Sequence, residues 1–479
     1  MILLLSIAGL VESVRLSSLR DPNIWLHLRV GAWILENRTW PVAGLFSQAA
    51  NLSWRDFSWL ADAAMAIGYR VVGLSVVPAA WMVYRLALAA ATFYVAGGSA
   101  ENFWFPVALS VLAQYLLYSF GPIGAGMSAL FFCVELIVLM NARRSGSIRG
   151  LYFLPLLFLF WANVDVSFVY GVGTMILYVV AVAAEATVLT GPKSEAVEAG
   201  LNRRMRAASA AAAGCVIATL ISPYSYQSYS AFFALQASPA NRYLAGRIAM
   251  TFHQPQDYLV LLLTMAGFLS LGLRRSRDAF LLPLLAVCAA LSFHAQGDAW
   301  LVVLVASAII GDAMFLRKSE APSSPGKNIW WSWPRLSAAI SLVLVLLVWA
   351  VRVPRDRERL LSRVADTFPI AACDYIRGHQ LPAPLFNSYM WGGFLTWYLP
   401  EYPVAIDGRR GLYPEDEEVD YFKVIRVLEP YQSLPAMTQA RTLLLDKQSV
   451  IGDALREVPG FQVAYEDEIS IVLLQKKRE

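Results

Sequence analysis

Long apolar runs separated by short basic stretches fill the chain up to Arg352, and the alternation stops there. A helix needs about 20 mostly apolar residues to cross roughly 30 Å of hydrocarbon. Runs that meet or approach this length cover 2–19, 72–96, 102–120, 124–142, 150–164, 166–190, 207–221, 257–273, 279–296, 298–316 and 336–352. The pattern predicts a polytopic α-helical membrane protein of about eleven transmembrane helices. The first run is interrupted by Glu12 and Arg15 and lacks the basic start and cleavage site of a signal peptide, so it reads as a retained span. Between the first two runs, Asn23–Asn37 places Trp25, Leu28, Ala32 and Leu35 at helical spacing beside polar His27, Arg29 and Glu36. Asp56–Gly73 is amphipathic too, and both stretches are expected as helices lying in the interface plane. Trp25, Trp33, Trp40, Trp54 and Trp59 would then anchor them at headgroup level.

Beyond residue 352 the period changes. Candidate strands are 384–387, 404–407, 442–446, 462–466 and 469–475, and candidate helices are 370–379, 392–398, 416–428 and 450–457. A hairpin turn over 465–469 joins the last two strands. The expected organisation is therefore a transmembrane domain over 1–352, with an amphipathic first outer loop at 20–71, followed by a soluble α/β domain over 353–479. The only linker-like tract is 321–327.

Charge gives the chain a direction. Arg143, Arg144, Arg149, Lys193, Arg203, Arg204, Arg206, Arg274, Arg275, Arg277, Arg317, Lys318, Lys327 and Arg335 all fall in alternate loops. The opposite membrane loops are longer in total yet hold only Arg20, Arg29, Arg38, Arg55, Arg70, Arg242 and Arg247. Basic loops stay on the cytoplasmic side. The N-terminus is then cytoplasmic, and an odd number of spans puts the C-terminal domain outside, in a multi-pass inner-membrane protein. Composition agrees: 57% hydrophobic and 15% charged residues, against about 45–50% and 25% in soluble domains. It excludes disorder, a nucleic-acid-binding module and an ordinary cytosolic enzyme. Cys133, Cys215 and Cys288 lie in apolar runs and Cys373 in a polar stretch, which gives no disulfide framework and no cysteine metal site.

Candidate chemistry sits on the outer face. Asp21 precedes Pro22 at a helix start, so it is either an N-cap or a general base at the membrane surface. Asp56 is either an N-cap for a helix starting at Phe57 or a second carboxylate. Asp165 is either a wall of a wet cavity or a solvated loop tip, and Arg247 either meets a phosphate or a lipid headgroup. Glu135 and Glu185 interrupt spans and would suit a transporter, although the inverted repeats of that class are absent. The four histidines are too dispersed for a zinc site, and no metalloprotease, phosphate-loop or serine-elbow motif occurs.

The ordered set of short motifs carries a resemblance. It begins with Asp21-Pro22-Asn23-x-Trp25-x-His27-Leu28-Arg29-x-Gly31-x-Trp33-Ile34-Leu35-Glu36, and continues with Pro41-x-x-x-Leu45-Phe46-Ser47 and Trp54-x-Asp56-x-x-Trp59-Leu60. Trp161-Ala162-Asn163, Ser222-Pro223-Tyr224, Phe386-Asn387-x-Tyr389-x-Trp391-Gly392-Gly393-Phe394-Leu395 and Ile406-Asp407-Gly408-Arg409 follow in order. Together they resemble bacterial GT-C-type membrane glycosyltransferases of the polyprenyl-phosphate-dependent, protein-mannosyltransferase-like group. The resemblance implies a GT-C-like fold and transfer of a sugar from a polyprenyl-phosphate donor to an extracytoplasmic glycan, lipid or protein. An acid of the first outer loop is the expected base, which maps to Asp21, with Asp56 and Asp165 as further catalytic candidates. Asn23, His27, Arg29, Asn163, Tyr224, Arg247 and His294 are candidates for holding substrate. Asn23 stands where a second acid is common, and the cluster at His294–Asp298 lacks the arginine expected for the leaving phosphate. No cofactor follows, and a divalent cation is compatible with the family but not indicated. A non-catalytic scaffold with the same fold is the competing expectation.

Overall fold

The computed structural model describes residues 17–98, 102–188, 195–244, 246–274, 278–319, 347, 353 and 356–476. The expected spans at 336–352 and, but for its last residues, 2–19 lie outside the described residues, as do the 321–327 tract, Lys193, Arg275, Arg277, Lys327 and Arg335. Helices run in chain order as α1 (Pro22–Asn37), α2 (Trp59–Val72), α3 (Val76–Val95), α4 (Trp104–Leu116), α5 (Ala125–Ser145) and α6 (Leu154–Trp161). They continue as α7 (Phe168–Val188), α8 (Glu195–Thr219), α9 (Gln227–Ala237), α10 (Pro255–Gly272), α11 (Leu281–His294) and α12 (Ala299–Ser319). The C-terminal part follows as α13 (Arg357–Ser362), α14 (Ile370–Gly378), β1 (Leu385–Asn387), α15 (Tyr389–Tyr398), α16 (Glu415–Ile425), α17 (Pro435–Thr438), β2 (Thr442–Asp446), α18 (Val450–Arg456), β3 (Phe461–Glu466) and β4 (Ser470–Gln475).

Every expected span from 72–96 to 298–316 falls on one of these helices. Trp59–Val95, Ala125–Ser145, Phe168–Ala186 and Gln296–Met314 are long and apolar enough to cross a membrane, and Trp104–Leu116, Arg149–Trp161 and Leu281–His294 are shorter apolar helices. Within the first of these runs a 3-10 turn at Gly73–Ser75 parts α2 from α3, and Gly73 holds φ at +64°, a value that suits glycine.

The chain forms two compact units that do not follow chain order. The first holds the described residues of 81–232 and 244–348, and the second those of 12–80, 233–243 and 349–479. In the first unit α12 is apolar nearly all round, and Trp300 to Ala306 are almost wholly buried. A helix of that kind belongs at the centre of a bundle, and α4, α5, α10 and α11 pack around it. Charged ends gather at one end of this unit. Arg143 lies 3.0 Å from Glu185 and 2.9 Å from Asp278, Arg144 2.5 Å from Asp312, and Arg274 2.8 Å from Asp312. Glu185 is thus a structural ion-pair partner. Glu135, in contrast, is wholly buried with both carboxylate oxygens lacking a hydrogen bond among the described residues.

The second unit is built on α1. Its partners come too close for side chains: a Cβ on Gly31 would lie 2.0 Å from the Asp62 carbonyl oxygen of α2, and one on Gly393 of α15 would lie 2.5 Å from the Pro22 carbonyl oxygen. Glycine at both places lets α1 pack against α2 on one side and α15 on the other. Trp25 fills the centre. It is wholly buried, with its ring 5.7 Å from Phe368, 5.1 Å from Phe394 and 4.8 Å from Trp397. The expectation that Trp25 anchors at headgroup level is therefore corrected, because its apolar ring has aromatic partners from the C-terminal part of the chain. Trp40 does remain about half exposed.

The sheet has the order β1-β2-β4-β3, with β1 parallel to β2 and the other pairs antiparallel. A parallel pair needs a long crossover, here supplied by α15, α16 and α17. Residues 404–407 form no sheet strand. Only Val404 bridges, to Ser47, because the Asn387 side chain takes the backbone instead: it accepts from the Ala405 N–H at 2.8 Å and donates to the Ile406 carbonyl at 2.8 Å. Cys373, expected in polar surroundings, is buried, as are the other three cysteines, all free. Replacing Gly31 by alanine should destabilise the second unit by about 1–3 kcal/mol through overpacking, seen as a lower melting temperature in detergent, whereas a value equal to the parent's would mean that the close approach is not tight.

Candidate active site

Asp21 begins the site. Its carboxylate Oδ1 accepts the Asn23 backbone N–H at 3.0 Å, and Pro22 occupies the first helical position, so the residue does cap α1. Capping leaves its chemistry intact, since a carboxylate has further lone pairs. Burial raises the Asp21 pKa above the ordinary carboxylate value, against the lowering pull of the Asn23 N–H and of His27.

His27 lies on the same helix, and its Nδ1 is 2.8 Å from Oδ1 of Asp62 on α2. Burial alone would depress the imidazole, yet the Asp62 carboxylate, aided by Asp56 and Asp21, lifts its pKa to about 9. His27 is therefore an imidazolium at neutral pH. Asp56 is buried just before α2, which starts at Trp59 and not at the expected Phe57. Its Oδ1 accepts the Ser58 N–H at 3.0 Å, while Oδ2 is buried without a hydrogen bond among the described residues. Burial, and then repulsion from Asp62, push the Asp56 carboxyl well above the usual range, more than His27 can offset. The second unit thus gathers three acids and one imidazole, of which Asp62 went unmarked in the sequence. An acid inside the first turn of an apolar amphipathic helix was the available signal.

Arg29 lies in the same unit with its guanidinium 4.7 Å from the centre of the Phe46 ring and its Nε buried. Asn23 is exposed and faces Gly408, where a Cβ would come within 2.6 Å of its Oδ1. Beside it Asp407 and Arg409 form a buried ion pair at 2.7 Å, with Arg409 over the Trp54 ring at 5.1 Å. These residues hold the 407–411 turn in place.

The remaining candidates belong to the first unit. Asn163 donates to the carbonyls of Leu159 and Ile221 at 2.8 and 3.0 Å. Asp165 ends a chain of donors: Trp161 Nε1 to Ser128 Oγ at 2.8 Å, then Ser128 to Asp165 Oδ2 at 2.6 Å. Tyr224 is buried, and His294 is exposed at the end of α11. Arg247 lies 3.8 Å from Asp298, which also accepts the Tyr170 hydroxyl at 2.6 Å. Among the described residues no three His, Cys, Asp or Glu side chains are grouped to hold a metal ion.

No protein-family model and no curated protein matches the chain. Among solved structures, the crystal structure of ArnT from Cupriavidus metallidurans bound to undecaprenyl phosphate matches 98% of this chain and 97% of its own, at a TM-score of 0.50 and 15% identity. The chain has a GT-C-like fold. The apo state of the same ArnT covers the same shares at a TM-score of 0.41 and 15% identity. The GT-C-like chain is a multi-pass membrane protein with a small C-terminal sheet.

The His27 pKa carries a prediction with a definite sign. The folded value of about 9 lies above the ordinary 6.5, so the ion pair's stabilisation is complete below pH 6.5 and is lost as pH rises through about 9. Thermal melts across that window should fall with pH in the parent. An Asp62→Asn variant should start about 3 kcal/mol less stable and lose that dependence; identical slopes in both proteins would exclude the pair as its source.

Proposed function

We propose that the chain is a membrane glycosyltransferase that moves a sugar from a polyprenyl-phosphate donor to an extracytoplasmic acceptor, with Asp21 as the general base. The observation that carries this reading is the gathering of Asp21, His27, Asp56 and Asp62 in one unit. The likeness of fold to a protein crystallised with undecaprenyl phosphate supports the donor class.

The reaction asks little of the protein beyond a base and fixed charge. An acceptor hydroxyl attacks the anomeric carbon, the new C–O bond forms, and the bond from that carbon to the phosphate oxygen breaks. The hydroxyl proton passes to Asp21 and the polyprenyl phosphate leaves as an anion. A base works best when its pKa approaches the working pH, and burial moves Asp21 in that direction. The imidazolium of His27 favours the ionised form of Asp21, lowering its pKa against the raising effect of burial. Asp62 holds His27 charged, and Asp56, its carboxyl pushed well above the usual range, is the proposed hydrogen-bond partner of an acceptor oxygen. Arg29, in the same unit, is the proposed cation for the phosphate. Asn23 and His27 flank the acceptor. Asn163, Asp165, Tyr224, Arg247 and His294 lie in the first unit and carry no step here.

Two measurements test the reading. Purified protein given labelled polyprenyl-phosphate sugars should transfer label, and Asp21→Asn should slow that transfer by about 10²–10⁴-fold with KM nearly unchanged. Transfer by Asp21→Asn at the parent rate would remove Asp21 from the base role, and no transfer from any donor would favour the scaffold alternative. Orientation is read separately. The native cysteines are buried, so a Glu457→Cys variant, exposed on the second unit, should react with a membrane-impermeant maleimide in intact spheroplasts. Labelling only after lysis would place the C-terminal domain in the cytoplasm.

A further inference from the structure

The basic residues at one end of the first unit fall into two groups. Arg143, Arg144 and Arg274 are held by Glu185, Asp278 and Asp312 at 2.5–3.0 Å, and Arg204 lies 4.0 Å from Glu185. Arg149, Arg203 and Arg206 form no ion pair among the described side chains. These three line a pocket of about 740 Å³ together with Ile148, Tyr152 and Asn202. The 3-10 turn Arg149–Phe153 supplies one wall and α8 the other.

Three guanidinium groups gathered in one pocket repel each other. The arrangement is stable when an anion shares them, and the guanidinium fork fits two oxygens of a phosphate at once. A second feature identifies what carries the phosphate. From the pocket, Tyr152, Leu156 and Phe160 run along one exposed face of the 149–161 segment, with exposures of 59%, 48% and 49%. On α8, Arg206, Ala210, Ala213 and Ile217 share an exposed face at helical spacing. The 149–161 segment and α8 pack side by side. The arginines thus sit at the head of an apolar ribbon, a shape that fits a charged headgroup with its acyl chains below it.

We propose that this pocket binds the phosphate of an anionic membrane phospholipid, with the acyl chains lying on the Tyr152–Phe160 and Ala210–Ile217 faces. The shared chemistry is a phosphate oxyanion held by Arg149, Arg203 and Arg206. Free phosphate would use the pocket alone, whereas a lipid uses the pocket and the ribbon. The site is separate from sugar transfer and stands or falls independently of it.

The test uses the full chain in detergent. Native mass spectrometry and thermal melts are run with phosphatidylglycerol, with phosphatidylcholine and with millimolar inorganic phosphate. The parent should retain phosphatidylglycerol at least about tenfold better than phosphatidylcholine and melt higher in its presence. A combined Arg149→Gln, Arg203→Gln and Arg206→Gln variant should retain both lipids equally. Its exposed positions spare the core, and an unchanged far-ultraviolet dichroism spectrum confirms its fold. Equal retention of the two lipids by the parent, or undiminished preference in the variant, would overturn the site. A melting shift from inorganic phosphate as large as that from phosphatidylglycerol would overturn the lipid assignment.

Discussion

Asp56 and Asp62 are buried in the second unit with the partly exposed His27 against Asp62, and a buried carboxylate persists only where another group meets its charge. The 2.8 Å contact between His27 and Asp62 meets that condition for one acid, and burial with repulsion from Asp62 moves Asp56 towards its neutral form. The pair also joins α1 to α2, because His27 belongs to the first helix and Asp62 to the second. Gly31 makes the same junction from the backbone side, by leaving room for the Asp62 carbonyl. Side-chain charge and backbone approach therefore fix one residue from two directions. Asp21, at the N-terminus of α1, takes its position and its electrostatics from that junction.

The spans were legible because hydrocarbon imposes a long, unbroken apolar pattern, and the helices from Val76 to Ser319 follow it closely. Four of the six C-terminal helices and most strands were legible for a similar local reason. Residues 404–407 were not, since an extended apolar run was claimed by the Asn387 side chain and not by a neighbouring strand. Trp25 was misread because a tryptophan on an amphipathic helix looks alike whether it meets headgroups or Phe394. Asp62 was missed for a related reason. Its partner lies 35 residues away, and nothing in the order of residues signals which acid a buried histidine will choose.

Environment, not residue type, separates the acids of the second unit. Asp62 faces an imidazolium, Asp56 faces Asp62, and Asp21 faces the Asn23 N–H with His27 close enough to act on it. One acid pairs with the imidazole, another has its carboxyl pushed well above the usual range by burial and by Asp62, and the third has a raised pKa at the start of a helix. Pairs of acids whose pKa values are driven apart divide acid and base roles between them, which is why Asp21 is assigned the base and Asp56 the hydrogen-bond donor.

The same rule accounts for the arginines of the first unit with the opposite outcome. Where a carboxylate is within reach, as for Arg143, Arg144 and Arg274, the cation is satisfied inside the protein and tightens the helix ends. Arg149, Arg203 and Arg206 lie beyond those acids, on surfaces that turn outward beside exposed apolar residues. Three like charges kept together with no counter-ion among the described side chains cost stability unless an external anion offsets them. In a bilayer the anion at hand is the phosphate of a lipid headgroup, so the arginines that form no ion pair among the described side chains read as a recognition surface, and the paired ones as part of the scaffold that holds it.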